Sequence, residues 1–368
     1  MLQLTRKKKI DGDLVGLDIE AGSIAATQIS WNGSVEVTGA AIAPLTPGAF
    51  YEGEVAEPDA VAGALKSLFA DNKLSKRVRL GIGNQRVVVR TLRLPAIDDP
   101  KELDTAIRFQ AQEQIPMPLD QAVLEYQVVG GAPGQEDGPP MIDVVVVAAR
   151  REMVNSFLGT IKRAGLQPVG VDLAAFGMIR ALAGIEASPV ADGGEAAVEP
   201  PVQSTQAVLF CNVGDVMNLA VARGRACLFT RVSNEGLEGI AKNLGVELGL
   251  TPDHATQWLS HVGLDRPLDQ IEGDPQIVTG VRRVLEQGVT ALVDELRLSL
   301  DYYAAQESAL PVGEIVLCGP GSAIEGLAPR MEEGLRLPIV VSRPAALAGY
   351  GEEAAARLTL PFGLALEH

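Results

Sequence analysis

Apolar residues along the chain gather into short runs and amphipathic stretches that predict a recurring order of strands and helices. Leu14-Val15-Gly16-Leu17-Asp18-Ile19 reads as a buried strand that ends in a small, polar turn. Strand character resumes from Ala25 to Trp31, Asn32-Gly33 is a hairpin signal, and Val35 to Thr38 continues it. Pro58-Asp59 opens a helix with Val61, Leu65, Leu68 and Phe69 on one face. Two strands are expected between Val78 and Leu94, broken near Gly83-Asn84. The helix after Asp98-Asp99-Pro100 uses Leu103, Ile107 and the stretch from Phe109 to Ala111. It must stop at Ile115-Pro116-Met117-Pro118, because proline lacks a backbone donor and pushes its predecessor out of helical geometry. Val123 to Val129 and Ile142 to Ala149 predict a hairpin with a Gly-, Pro- and acid-rich tip. Arg151 to Ala164 follows as an amphipathic helix closed by Gly165, and Val169 to Leu173 leads into a helix ending at Gly184.

Residues 186–205 have no periodicity and read as an acidic linker or loop. Beyond them the opening theme returns: Ala207 to Val213 is a strand, Gly214-Asp215 a turn, Val216 to Ala222 a strand, Arg223-Gly224-Arg225 a turn, and Ala226 to Val232 a third strand. A theme that starts near residue 14 and again near residue 207 predicts two similarly folded lobes. Helices are expected at about 235–248, 252–261 and 276–306, the last with Leu292, Leu296, Leu300 and Tyr303 turned inward. Ile315 to Cys318 is a buried strand feeding Gly319-Pro320-Gly321-Ser322 and a helix from Ile324; a short strand (Ile339 to Val341) and a weak final helix close the chain. The expected division is 1–185 for the first lobe, 186–205 for the linker and 206–368 for the second lobe.

Composition narrows the chemistry. A net charge of −16 argues against a nucleic-acid partner, since nothing here would neutralise a run of phosphates. The basic run Arg6-Lys7-Lys8-Lys9 reads as a solvated tail. Cys211, Cys227 and Cys318 are odd in number and embedded in apolar runs, so buried, reduced thiols are expected. His254 and His261 do not make a zinc motif, and His368 follows Leu366-Glu367 as the start of a tag would. No apolar stretch reaches the ~20 residues of a membrane span, and no apolar core follows the N-terminal charges, so a cytoplasmic protein without direct membrane insertion is expected. Gly-Lys-Ser/Thr is absent and Ile324 breaks the dinucleotide fingerprint, which excludes both common phosphate motifs.

Three turns remain: one after Asp18, one after Asn212 and Gly-Pro-Gly-Ser after Cys318. Tight turns aim consecutive backbone N–H groups into one concavity, which suits phosphate oxygens without any lysine. A carboxylate at a strand end suits a hydrated magnesium ion, and a Gly-rich turn lets a flat base approach the backbone. In this order, on duplicated lobes, the turns resemble the two phosphate loops and the adenosine loop of the actin/Hsp70 superfamily, an α/β, ribonuclease H-like fold.

The finer resemblance is to the PilM family of type IV pilus assembly proteins, relatives of the division protein FtsA. It is carried by Val15 to Ile19, Gln112 to Pro118, Ala164 to Asp172, Asp294 to Tyr303 and Cys318 to Ser322. The resemblance implies an FtsA-type subdomain at about 91–168. It implies nucleotide contacts from Asp18, Gly22, Ser23, Asn212, Gly214, Asn234, Gly319, Gly321 and Ser322, with Asp18 holding magnesium through water. It also implies a scaffold that binds the N-terminal cytoplasmic peptide of a PilN-like inner-membrane protein, in a groove between the first lobe and residues 91–168. Other pilus assembly proteins, and self-association, come with the family, as does a place in the cytoplasm at the inner membrane.

The departures weaken the nucleotide part. The family's first loop usually has Gly where this chain has Glu20, and Lys where it has Ala25; Asn212 stands where the second loop usually begins with Asp, Ser233-Asn234 corresponds to a Gly-Gly pair, and Ala255-Thr256-Gln257-Trp258-Leu259 to the Ala-Glu-x-x-Lys signature. A carboxylate beside polyphosphate is repulsive, so weak ATP binding at best and little or no hydrolysis are expected. Two other readings are an active nucleotide switch or ATPase of the same fold, and an FtsA-like filament-forming membrane anchor. Against the anchor, the tail Pro361-Phe362-Gly363-Leu364-Ala365-Leu366 is short and uncharged.

Overall fold

The computed structural model describes residues 13–31, 34–132, 140–183, 205–306 and 309–366. The basic run at residues 6–9, the Asn32-Gly33 turn, most of the 186–205 linker and His368 lie outside the described residues.

The first lobe is built on β1 (Leu14–Ile19), β2 (Ser23–Trp31) and β3 (Val35–Pro44), followed by the small pair β4 (Phe50–Tyr51) and β5 (Glu54–Val55), helix α1 (Pro58–Asp71) and β6 (Arg77–Ile82). Then come β7 (Val88–Pro95), α2 (Pro100–Gln114), β8 (Ala122–Ala132), β9 (Met141–Arg150), α3 (Arg151–Arg163), β10 (Gln167–Leu173) and α4 (Ala174–Leu182). The second lobe has β11 (Ala207–Val213), β12 (Met217–Arg223), β13 (Ala226–Ser233), α5 (Leu237–Leu248), α6 (Pro252–Val262), α7 (Pro275–Ala304), β14 (Val312–Cys318), α8 (Leu327–Leu335) and β15 (Ile339–Val341); α9 (Glu352–Ala365) ends the chain.

Each lobe has a five-stranded sheet, ordered β3-β2-β1-β6-β10 and β13-β12-β11-β14-β15. In both, the first three strands are antiparallel and the last two join parallel. The topology is therefore duplicated strand for strand, and β1 and β11 lie at matching central positions. Strands β7, β9 and β8 form a separate sheet with its own core of Leu92, Ile107, Val144 and Val146 under α2. Asp99 starts α2 by accepting from the backbone N–H groups of Lys101 and Glu102, and the helix stops before Pro116.

Three features differ from the pattern reading. Gly319-Pro320-Gly321-Ser322 does not lead directly into a helix: residues Pro320–Ala323 form a 3₁₀ turn and α8 starts only at Leu327. Cys211 and Cys318 are buried free thiols, whereas Cys227, on edge strand β13, is half-buried. The last helix is neither weak nor confined to the second lobe. It continues through Pro361 and packs on β1, β2 and α4 of the first lobe.

The cause is a seat made of glycines. A Cβ at Gly16 would meet the backbone carbonyl of Pro361, one at Gly177 would meet Leu364 at 2.9 Å, and one at Gly363 would meet the carbonyl of Gly177. The helix therefore lies directly on backbone. Its final carbonyls, which have no partners within the helix, accept from two arginines: Arg79 Nη1 reaches Leu364 and Leu366 at 3.1 and 2.7 Å, and Arg180 Nε reaches Gly363 at 3.0 Å. Met178, Phe210, Ala220, Leu358, Leu360 and Leu364 share one core, which joins the lobes.

Candidate functional site

Duplication brings the β1–β2 and β11–β12 turns face to face. In the first, Glu20 N–H donates to Ser23 O at 2.9 Å, which closes a turn of Glu20, Ala21 and Gly22. In the second, Gly214 N–H donates to Val216 O at 3.1 Å. The N-terminus of α5 backs this second turn, with Leu237 N–H on Gly214 O at 2.8 Å. Gly236 permits the approach, because a Cβ there would meet the Asp215 backbone.

Contact between the lobes is direct. Gly22 N–H donates to Asp215 Oδ2 at 3.0 Å, and Asp215 N–H donates to Glu20 Oε1 at 3.2 Å. Arg357, on α9, donates to Ser23 Oγ at 3.2 Å and lies 4.0 Å from Glu20 Oε2. Asp18 and Glu20 face both small cavities that remain, of about 10 and 20 Å³.

Charge in this cleft is unbalanced. Burial, followed by the neighbouring Asp215 carboxylate, pushes Asp18 up to about 7. Burial, then Asp215 and Asp18, raises Glu20 well above the usual carboxylate range, with Arg357 opposing. Asp215 is raised by burial and held back by the Gly22 N–H and Arg357. At neutral pH the cluster therefore retains protons that free carboxylic acids would have lost.

Of the expected site residues, Asp18, Gly22, Ser23, Asn212 and Gly214 converge here. Gly319 and Gly321 pack on the end of β11, where Cβ atoms would meet Asn212 and Val213. Ser322 Oγ donates to Gly319 O at 2.7 Å, within the 3₁₀ turn. Asn234 is exposed in the bend before α5. Pattern reading passed over Asp215, Gly236, Asn218 and Arg357 as site residues. The duplication was a usable signal for Asp215, since it sets the second turn opposite the first. Nothing local marks Arg357, which arrives from the far end of the chain.

A second concavity, of about 320 Å³, lies where three parts of the molecule meet. Val128 and Val129 come from β8, Phe176 and Ile179 from α4, and Arg225 and Cys227 from the β12–β13 hairpin. β8 is an edge strand, and Val128 and Val129 are 44% and 39% exposed. Arg180, which also lines this groove, is fixed by a 2.6 Å ion pair with buried Asp172.

A family model described as type IV pilus assembly protein PilM matches residues 16–366. The chain belongs to that family. A solved PilM-PilN type IV pilus biogenesis complex is 25% identical, with a TM-score of 0.76 over 96% of this chain and 97% of that one. Two more distant structures share the fold alone. The ethanolamine utilization protein EutJ from Carboxydothermus hydrogenoformans has 11% identity and a TM-score of 0.54, over 96% of this chain and 89% of that one. MreB5 of Spiroplasma citri, bound to ADP, has 12% identity and a TM-score of 0.51, over 92% and 93%. The fold is thus the actin-like one, as the three turns on duplicated lobes implied.

Family membership raises the question of whether these residues fit a magnesium-bound triphosphate. They do not. Three carboxyl groups occupy the space between the turns, Arg357 bonds Ser23 Oγ and stands 4.0 Å from Glu20, and Ala25 supplies no charge. Asn218 Oδ1, at the edge of the 20 Å³ cavity, is buried without a hydrogen-bond partner among the described residues. Among the described residues no three His, Cys, Asp or Glu side chains converge on a metal position. Nor is any described helix long and apolar enough to cross a membrane.

Proposed function

We propose that the chain is a pilus assembly scaffold that holds the N-terminal cytoplasmic peptide of a PilN-like inner-membrane protein in the groove between β8 and α4, with nucleotide contributing little. The observation that carries this reading is the exposed, apolar β8 edge facing Phe176 and Ile179 across the groove. An edge strand offers unpaired backbone donors and acceptors to an added strand, and side pockets then select apolar anchors. The occupant is inferred from the solved PilM-PilN complex, which matches this chain over nearly its full length. The peptide would hold the protein at the cytoplasmic face of the inner membrane through its partner, without insertion of its own. ATP is expected to bind weakly at best, and hydrolysis to be slight or absent.

Calorimetric titration with the cognate PilN peptide tests this reading. One-to-one binding is expected, and Val128→Asp should lower the affinity about tenfold or more, as loss of an apolar anchor does. A peptide that gives no complex, or that binds the variant as well as the parent, refutes the groove assignment.

A further inference from the structure

The turns that the family resemblance assigns to phosphate oxygens satisfy each other. Gly22 N–H of the first lobe is taken by the Asp215 carboxylate of the second, and Asp215 N–H of the second by the Glu20 carboxyl of the first. Each turn gives one backbone donor and one side-chain acceptor. Phosphate groups bind turns by the same chemistry, through oxygens that accept from backbone N–H groups. Gly214 belongs to the arrangement: a Cβ there would run into Glu20 Oε1, so the carboxyl fills space that another residue would claim. On the other side of Glu20 stands Arg357, 18% exposed, as a counter-charge.

We propose that Glu20 and Asp215 clasp the two lobes shut without nucleotide, their carboxyl oxygens standing in for phosphate oxygens on the facing turn amides. The Gly-to-Glu departure at residue 20, which argues against ATP when taken alone, is then the residue that replaces it. Closure is a fixed property of the chain rather than a consequence of a bound ligand. The inference does not depend on what occupies the β8–α4 groove, and its test reads other residues.

The two interlobe amides report the clasp directly through hydrogen exchange of the full chain, measured by NMR. The core shared by α4, α9 and both sheets is untouched by a change at residue 20, so variants are expected to fold. Glu20→Ala should speed exchange at Asp215 by about tenfold, the loss of its hydrogen bond to the Glu20 carboxyl, while amides of β14 stay unchanged. Glu20→Gln keeps an acceptor oxygen and should stay within about twofold of the parent. Gly214→Ala, which displaces Glu20, should open the same amides. About 5 mM magnesium-ATP should leave both turns as they were. Equal Asp215 rates in the parent and Glu20→Ala overturn the proposal. So does any slowing or acceleration of the two turns by ATP in the parent.

Discussion

At residue 18 a carboxyl lies on a central strand, with Glu20 beside it, Asp215 across the cleft and Arg357 reaching in from α9. Its folded value, pushed up to about 7 chiefly by burial, stands above the ordinary 3.8. A raised acid contributes stability that is fully present below the unfolded value and is lost as pH rises through the folded one. The chain should therefore lose on the order of a few kcal/mol from this group between about pH 4 and pH 7. Asp18→Asn should remove that part of the pH dependence and be the more stable protein at about pH 8. Urea unfolding of both proteins at the two ends of the window checks it, and parallel pH profiles would mean that Asp18 is solvated. The sequence marked Asp18 as a strand-end carboxylate and implied a metal ligand from the resemblance. That its neighbours are Glu20 and Asp215, which turn it into a proton-holding group, depends on a contact between segments some two hundred residues apart.

Elements show the same division between local and distant causes. Helix α2 was legible because a cap, an apolar face and a proline stop all lie within twenty residues. The duplicated sheets were legible because each repeats one strand-turn-strand pattern. Helix α9 was not, because its support is nonlocal: Gly16 and Gly177 read as ordinary small residues until the helix is seen lying on them. Pro361 in its interior, a helix breaker by local rules, is tolerated where packing fixes the backbone on both sides. Buried from Ala355 to Ala365, except for half-buried Arg357, α9 is not free to act as the amphipathic anchor of the FtsA-like reading. Gly16→Ala drives a methyl into the Pro361 carbonyl, which cannot yield as a side chain would, and should cost about 3 kcal/mol or more. Gly63→Ala, on the open face of α1 with nothing within 4 Å of a new Cβ, should instead stabilise by about 0.5–1 kcal/mol. Chemical denaturation of the pair separates packing from backbone propensity, and equal effects would remove the glycine seat as the explanation.

At the scale of the whole molecule, the interlobe cleft and the β8–α4 groove predict opposite responses to ligand. The interlobe cleft is filled by its own carboxyls and Arg357, and its remaining space, of about 10 and 20 Å³, is the size of a water molecule. The β8–α4 groove is open, apolar and about 320 Å³, and it borrows one wall from the second lobe through Arg225 and Cys227. A ligand that binds only the folded chain stabilises it by about 2.7 kcal/mol at a hundred times its dissociation constant. Saturating PilN peptide should raise the melting temperature by several degrees, because in the proposed groove it would tie the β7–β9–β8 sheet to α4 and the second lobe together. Millimolar magnesium-ATP should leave the melting temperature almost unchanged. The Glu20→Gly variant restores the residue that the family's first loop carries and removes one of the three carboxyls. If that variant gains a thermal shift with ATP while the parent has none, the acidic clasp is what separates this chain from a nucleotide-dependent relative. An equal shift with ATP in both proteins would show that the phosphate turns open readily, and would restore the nucleotide switch as the better account of the lobes.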